Sequence, residues 1–151
     1  MQVEQNELVS DVFCEVLEKL AFMFGEAVEK EELASDTSEY IRAMMSFTGA
    51  MSGKLGLVVP KEMCPEIAAN VLGMDPDDEL VAAQAIDALK EVLNVVCGNV
   101  LTALAGERAM FDLSVPEIST LNAAEWTTTL HEPQTWAFLV DDIPVLLELS
   151  T

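Results

Sequence analysis

From Glu79 to Ala105 the chain has no proline, and Gly106 follows where a helix of that length would stop. Within the run, Leu89, Val92, Val96 and Leu104 fall on one side at ~100° per residue. A helix this long with one apolar side is not stable alone in water. It requires a second layer to cover that side. The sequence ahead of it supplies one. EYIRAMMSFTG alternates, with Ile41, Ala43, Met45 and Phe47 on one face and Arg42, Ser46 and Thr48 on the other. KLGLVVP puts Leu55, Leu57 and Val59 on one face, and Gly49 and Gly53 bracket the link, so a hairpin is expected.

The same reading predicts a first long helix from about Glu7 to Lys30, then a charged helix end and loop over 29–39. Pro60 ends the hairpin, a short helix runs from about Glu62 to Leu72, and 73–78 is an acidic turn. After Gly106, strands are expected at 110–115, 126–132, 135–140 and 145–149, with a polar loop from Ser119 to Glu125 and a turn at Asp141-Asp142. The fold class is α+β: a largely antiparallel sheet carrying two long helices and a short one. No linker divides residues 1–151, so one domain is expected.

Charge and cysteine usage narrow the partners. Twenty-seven acids against seven bases leave a net charge of −20. Nucleic acid and anionic membrane surfaces both need clustered Lys and Arg, and both are disfavoured. No apolar run approaches the ~20 residues of a membrane span, and the N-terminus does not read as a signal peptide. Cys14, Cys64 and Cys97 are far apart and odd in number, which fits buried reduced thiols in a cytoplasmic protein.

The two long helices echo each other. CEVLEKLAFMFGEAV from Cys14 can be laid over DALKEVLNVVCGNVL from Asp87, an offset of 87 − 14 = 73 residues. Glu18 then matches Glu91, Leu20 matches Leu93 and Gly25 matches Gly98, while Cys14 stands at Asp87 and Ala21 at Asn94. The pattern suggests an internal pseudo-repeat, with chance likeness between two amphipathic helices as the alternative.

A polar stripe runs along the second helix: Gln84, Asp87, Lys90, Glu91, Asn94, Gly98 and Thr102. A solvated face is one explanation. Against it, Asn is a poor helix-interior residue, and Gly98 and Ala105 leave room for another surface. Asp87 and Glu91 with Asn94 could also be read as oxygen ligands for a hard cation, although one helix face offers few of them. His131 has no evident nucleophile beside it, and Met44, Met45 and Met51 read as packing.

The order Asp87-x-x-x-Glu91-x-x-Asn94, followed at a distance by Pro116, resembles the signature of the CheC/CheX/FliY family of chemotaxis phosphatases. FTGAMSGKLGLVVP at 47–60 is similar to that family's first hairpin, and NVVCGNVLTAL to its helix after the Asn. One copy of the motif resembles the CheX branch. The gap of 21 residues between Asn94 and Pro116 is one shorter than the family pattern.

The resemblance implies a hydrolase acting on the aspartyl phosphate of a CheY-like response-regulator receiver. It implies that Asn94 orients the attacking water and that Glu91 pairs with the receiver's Lys. Asp87 is a motif position that supports its neighbours or touches the receiver, and Pro116 shapes a loop. No metal or cofactor is expected on this chain; Mg²⁺ is expected on the receiver. A homodimer is expected too, on the family likeness and on Val145–Leu149 read as an open sheet edge. The alternative function is a non-catalytic module that binds a receiver or serves as a chemotaxis adaptor.

Overall fold

Hydrophobic period sets the order of elements in the computed structural model, which describes residues 2–35, 37–75 and 79–151. They are α1 (Gln2–Ala21), β1 (Gly25–Ala27), β2 (Tyr40–Gly49), β3 (Gly53–Pro60), α2 (Cys64–Leu72) and α3 (Glu79–Ala105). After these come β4 (Phe111–Leu113), β5 (Glu117–Leu121), α4 (Ala123–Leu130), β6 (Thr135–Val140) and β7 (Ile143–Ser150). All strand pairs are antiparallel, in the order β1-β6-β7-β3-β2-β4, with β5 also on β2. The α+β architecture is the one expected. Of the acidic turn expected at 73–78, residues 76–78 lie outside the described residues.

One face of the sheet holds the alternating residues of the hairpin. Ile41, Ala43, Met45, Phe47, Leu55, Leu57 and Val59 are buried there with Phe138, Val145 and Leu147. Over them pack α1 through Phe13 and Leu17, and α3 through Leu89, Leu93 and Val96. Fully burying a side chain of that size contributes roughly 1.5–3 kcal/mol, so this layer dominates the stability. Gly49 and Gly53 are needed by neighbours as well as by the turn. A Cβ on Gly49 would run into the Met110 carbonyl, and one on Gly53 into that of Ser150.

Four expectations fail. The first helix ends at Ala21, not near Lys30. Phe22 takes a left-handed φ of 53°, and Gly25–Ala27 instead pair with β6 as an edge strand. Residues 126–132 are not a strand, and Ser119–Glu125 is not simply a loop. β5 fills 117–121, and α4 starts at Asn122, whose side chain accepts from the Glu125 N–H while Glu125 accepts from the Asn122 N–H. That reciprocal cap outweighs the strand propensity of the Thr run. Thr127, Thr128 and Thr129 each donate to the carbonyl four residues back. Trp126 and Leu130, one turn apart, seat α4 on the other sheet face, where the indole stacks on Tyr40 at 5.2 Å.

The third correction concerns Val145–Leu149. It lies in β7, between β6 and β3, so it is not an open edge. The fourth concerns length. Residues Ala83–Ala105 of α3 are, among the described residues, the one stretch long and apolar enough to cross a membrane. Lys90 and Glu91 interrupt its apolar character without ending the helix. Its apolar face is spent on α1, α2 and the sheet.

The topology carries the echo further than the helices do. Each half runs helix, short edge strand, hairpin: α1-β1-β2-β3 and α3-β4-(β5-α4)-β6-β7. Each edge strand pairs with the other half's hairpin, β1 on β6 and β4 on β2, and the hairpins meet at β3 and β7. The added β5 and α4 of the second half are what the periodicity did not reveal.

Candidate functional site

The long helix α3 is pinned along its inner side. Ala88, Leu89, Val92, Leu93, Val96, Cys97 and Val100 are buried against α1, α2 and the sheet. That fixes the rotation of the helix and turns the polar stripe outward. Asp87, Glu91 and Thr102 are exposed, and Lys90, Asn94 and Gly98 are half-buried. Asn94 lies seven positions after Asp87 (94 − 87), about 10 Å along the axis at ~1.5 Å per residue. Asp87, Glu91 and Asn94 therefore form one line, as expected.

Among the described residues, none of the Asp87, Lys90, Glu91 and Asn94 side chains makes a hydrogen bond or an ion pair within the chain. Local support of Lys90 or Glu91 by Asp87 is thus not formed. Asn99, five residues on, behaves differently. Its amide donates to the Val95 carbonyl at 2.7 Å, which is how a helical Asn satisfies itself. Asn94 has no such bond. Two carboxylates four residues apart also repel each other weakly. The stripe is therefore an arrangement that the fold itself does not reward.

Pro116 is buried in the link between β4 and β5, both of which pair with β2. A proline suits a break in an edge strand, so it shapes the sheet edge and is not a member of the stripe. His131 is the exposed C-cap residue of α4, not a strand residue. Cys97, under the stripe, has its thiol pushed up to about 11 by burial, and Cys64 likewise to about 11. Neither is a nucleophile near neutral pH. No three His, Cys, Asp or Glu side chains among the described residues converge as metal ligands.

Two features escaped the sequence reading. Beside the stripe, α1 and α3 border a groove of about 300 Å³ lined by Val12, Val16, Leu20 and Val95, with Glu15, Lys19 and Asn99 at its rim. Helical periodicity places these residues on helix sides, but not the two helices next to each other. On the far sheet face, Arg42 grips both carboxylate oxygens of Glu148 at 3.0 and 2.9 Å and also donates to Thr129 Oγ1. Burial raises the Glu148 pKa, and Arg42 opposes that rise. A lone Arg in an alternating strand was the available signal, since a buried guanidinium needs a partner.

A family model described as chemotaxis phosphatase CheX matches residues 41–137, more than half of the sequence and a span that includes the stripe and Pro116. The chain belongs to the CheX family of chemotaxis phosphatases. Solved structures share the fold. A CheX chemotaxis protein from Desulfovibrio desulfuricans superposes with a TM-score of 0.70 at 16% identity, covering 97% of this chain and 98% of that one. The CheX of a CheX-CheY-BeF3-Mg complex from Borrelia burgdorferi gives 0.62 at 16%, covering 95% of each. FliY from Thermotoga maritima gives 0.58 at 14%, covering 98% and 90%. No curated protein matches the chain significantly. Within the matched span, Asp87, Glu91 and Asn94 share one outward helix face, and Pro116 stands apart from it at the sheet edge.

Proposed function

We propose that this CheX-family chain hydrolyses the aspartyl phosphate of a CheY-like response-regulator receiver, with Asn94 and Glu91 as the working side chains. The observation that carries the reading is the amide of Asn94, mid-helix and outward with no partner within the chain among the described residues, beside an Asn99 that bonds to its own helix. An amide both donates and accepts. It can therefore hold a water in line with a phosphorus atom without removing its proton, as a positioned Gln does in GTPases. The water oxygen bonds to phosphorus, the bond from phosphorus to the receiver's aspartyl oxygen breaks, and that carboxylate leaves. The water's protons go to the departing phosphate and to solvent.

On this reading the receiver supplies the phospho-Asp, Mg²⁺ and a Lys, and this chain supplies no metal. Glu91, one turn before Asn94 and without an internal partner, pairs with the receiver's Lys and thereby places the amide. Asp87 sits one turn further back as an outer contact with the receiver, and Pro116 holds the sheet edge. The solved Borrelia relative was crystallised with CheY, BeF3 and Mg, which makes a receiver of that type the natural first substrate to test. Residues 1–151 act as one unit, in the cytoplasm. We also infer a homodimer. Its basis is now the β4 edge, where Met110 and Val115 are strongly exposed, and light scattering should return twice 16.4 kDa.

The deciding experiment mixes the protein with CheY-like receivers loaded by a small phosphodonor and follows phosphate release. Accelerated release supports the enzyme. Tight binding to the phosphorylated receiver with no acceleration would leave a binding module instead.

A further inference from the structure

The sequence has seven glycines; five have a steric or backbone reason within the chain, and a sixth, Gly25, faces the chain's own atoms. Gly73 and Gly106 have φ of 69° and 95°, where a side chain is strained. At Gly25, Gly49, Gly53 and Gly56 a Cβ would touch or overlap neighbouring atoms. Gly98 has neither reason. It lies inside α3 with no positive φ, and a Cβ built on it would meet nothing within 4 Å. Glycine in a helix interior is costly relative to alanine because its backbone is freer when unfolded. The cost is borne at the position four residues past Asn94, ~40° around the same face.

We propose that Gly98 is a positioning residue: a notch in α3 that admits the rim of the receiver's phosphorylation pocket against the helix backbone and so sets how deeply Asn94 enters. This rests on the function proposed above. A surface lying on a glycine Cα comes closer than one resting on a Cβ by roughly 1.5 Å, one carbon–carbon bond. A displacement of that size is enough to spoil alignment of a water for in-line attack. The bare Cα also offers C–H groups to a carbonyl on the approaching rim. The contrast with Gly25, its partner in the echo, sharpens the assignment. There a Cβ would come into ordinary contact with Cys14 Sγ and Val140 at 3.4 Å, so that glycine faces the chain's own atoms and not an open surface.

The test is a size series in the full-length protein, Gly98→Ala and Gly98→Leu. It is read by thermal melting, by affinity for a CheY-type receiver loaded with BeF3 and Mg²⁺, and by release of phosphate from the phosphorylated receiver. Gly98→Ala is expected to melt at or above the parent temperature yet release phosphate several-fold more slowly. Gly98→Leu is expected to fold, and to lose about 100-fold in turnover with weakened binding. A glycine kept for the protein's own stability predicts the opposite sign in melting. Should Gly98→Leu bind and turn over like the parent, the notch is refuted while the phosphatase stands. A parent that neither binds nor dephosphorylates any receiver removes the functional reading and the notch together. Should Gly98→Leu misfold, the alanine variant decides alone: a parental rate overturns the proposal, and a slower rate in a more stable protein supports it.

Discussion

The two long helices, α1 and α3, hold equivalent places in the halves of the fold and are spent differently. Each precedes an edge strand and packs on the same sheet face. Each carries an exposed glutamate at the matching position, Glu18 and Glu91. They part three residues later. Ala21 is fully buried and is the last residue of α1, followed by Phe22 in a left-handed conformation. Asn94 is half-buried, and α3 continues for eleven more residues (105 − 94) to Ala105. Between the two copies, then, an amide with a continuing helix behind it has been set against a small core residue at a helix end. A carboxylate on a helix surface is ordinary. What distinguishes α3 is that its polar line extends through an amide with no partner within the chain among the described residues and a bare glycine, on a helix whose opposite side is committed to the core.

The largest expected effect tests that distinction at Asn94. Asn94→Ala should lower receiver dephosphorylation by about two to three orders of magnitude, with affinity for the BeF3-loaded receiver within a few-fold of the parent. Single-turnover phosphate release against a binding titration checks both. An Asn94→Ala protein as fast as the parent would reduce the stripe to a solvated face. Next in size is Glu91→Lys. If Glu91 meets an ammonium group on the receiver, reversing its charge should cost more affinity than Glu91→Ala does, because two cations would then face each other at close range. The parent affinity should fall only modestly as salt rises, since a close pair is poorly screened. Equal affinities for the two variants would place Glu91 away from any cation.

How much of this was legible follows from what each signal reports. The hairpin at 40–60 and the helix at 79–105 were readable because period and burial coincide there. The end of α1 was not. Residues 22–28 are still rich in apolar side chains, and what stops the helix is pairing of Gly25–Ala27 with β6, a partner more than 100 residues away. α4 was misread for a local reason. Its threonines and tryptophan favour strands, and the signal that overrides them, Asn122 with Glu125, lies in the polar stretch Ser119–Glu125 just ahead of them. β7 looked like an edge because it comes near the end of the chain, yet sheet order is set by the hairpins meeting across β3 and β7. The stripe was legible as a line, but that its members lack partners was not, since a sequence gives spacing and not hydrogen bonds.

A transplant asks whether the difference between the helices is one side chain or the whole setting. Ala21→Asn puts the amide at the position equivalent to Asn94. The site is fully buried, so the amide loses water without a ready partner, at a cost of about 1–3 kcal/mol. Melting should fall by several degrees, and no added phosphatase activity should appear. A gain in turnover at unchanged stability would mean that α1 can serve as a second key, and that Ala21 alone keeps it silent.

The smallest expected effect is at Glu18, and it bears on the comparison most directly because Glu18 and Glu91 match in type, exposure and place. If α1 is only scaffold, Glu18→Ala changes an exposed carboxylate with no internal ion pair or hydrogen bond among the described residues. Such surface changes usually stay within ~0.5 kcal/mol. Phosphate release should therefore remain within about twofold of the parent, and receiver affinity should not move. The groove between α1 and α3 is what gives the measurement its edge. Its rim carries Glu15 and Lys19 on the same helix, beside the stripe, so a receiver docked on α3 has α1 within reach. A Glu18→Ala protein that binds normally confines the receiver's footprint to α3. One that binds more weakly with turnover intact extends the footprint across the groove without making α1 catalytic. A large fall in turnover at normal affinity would contradict the division of labour between the two helices.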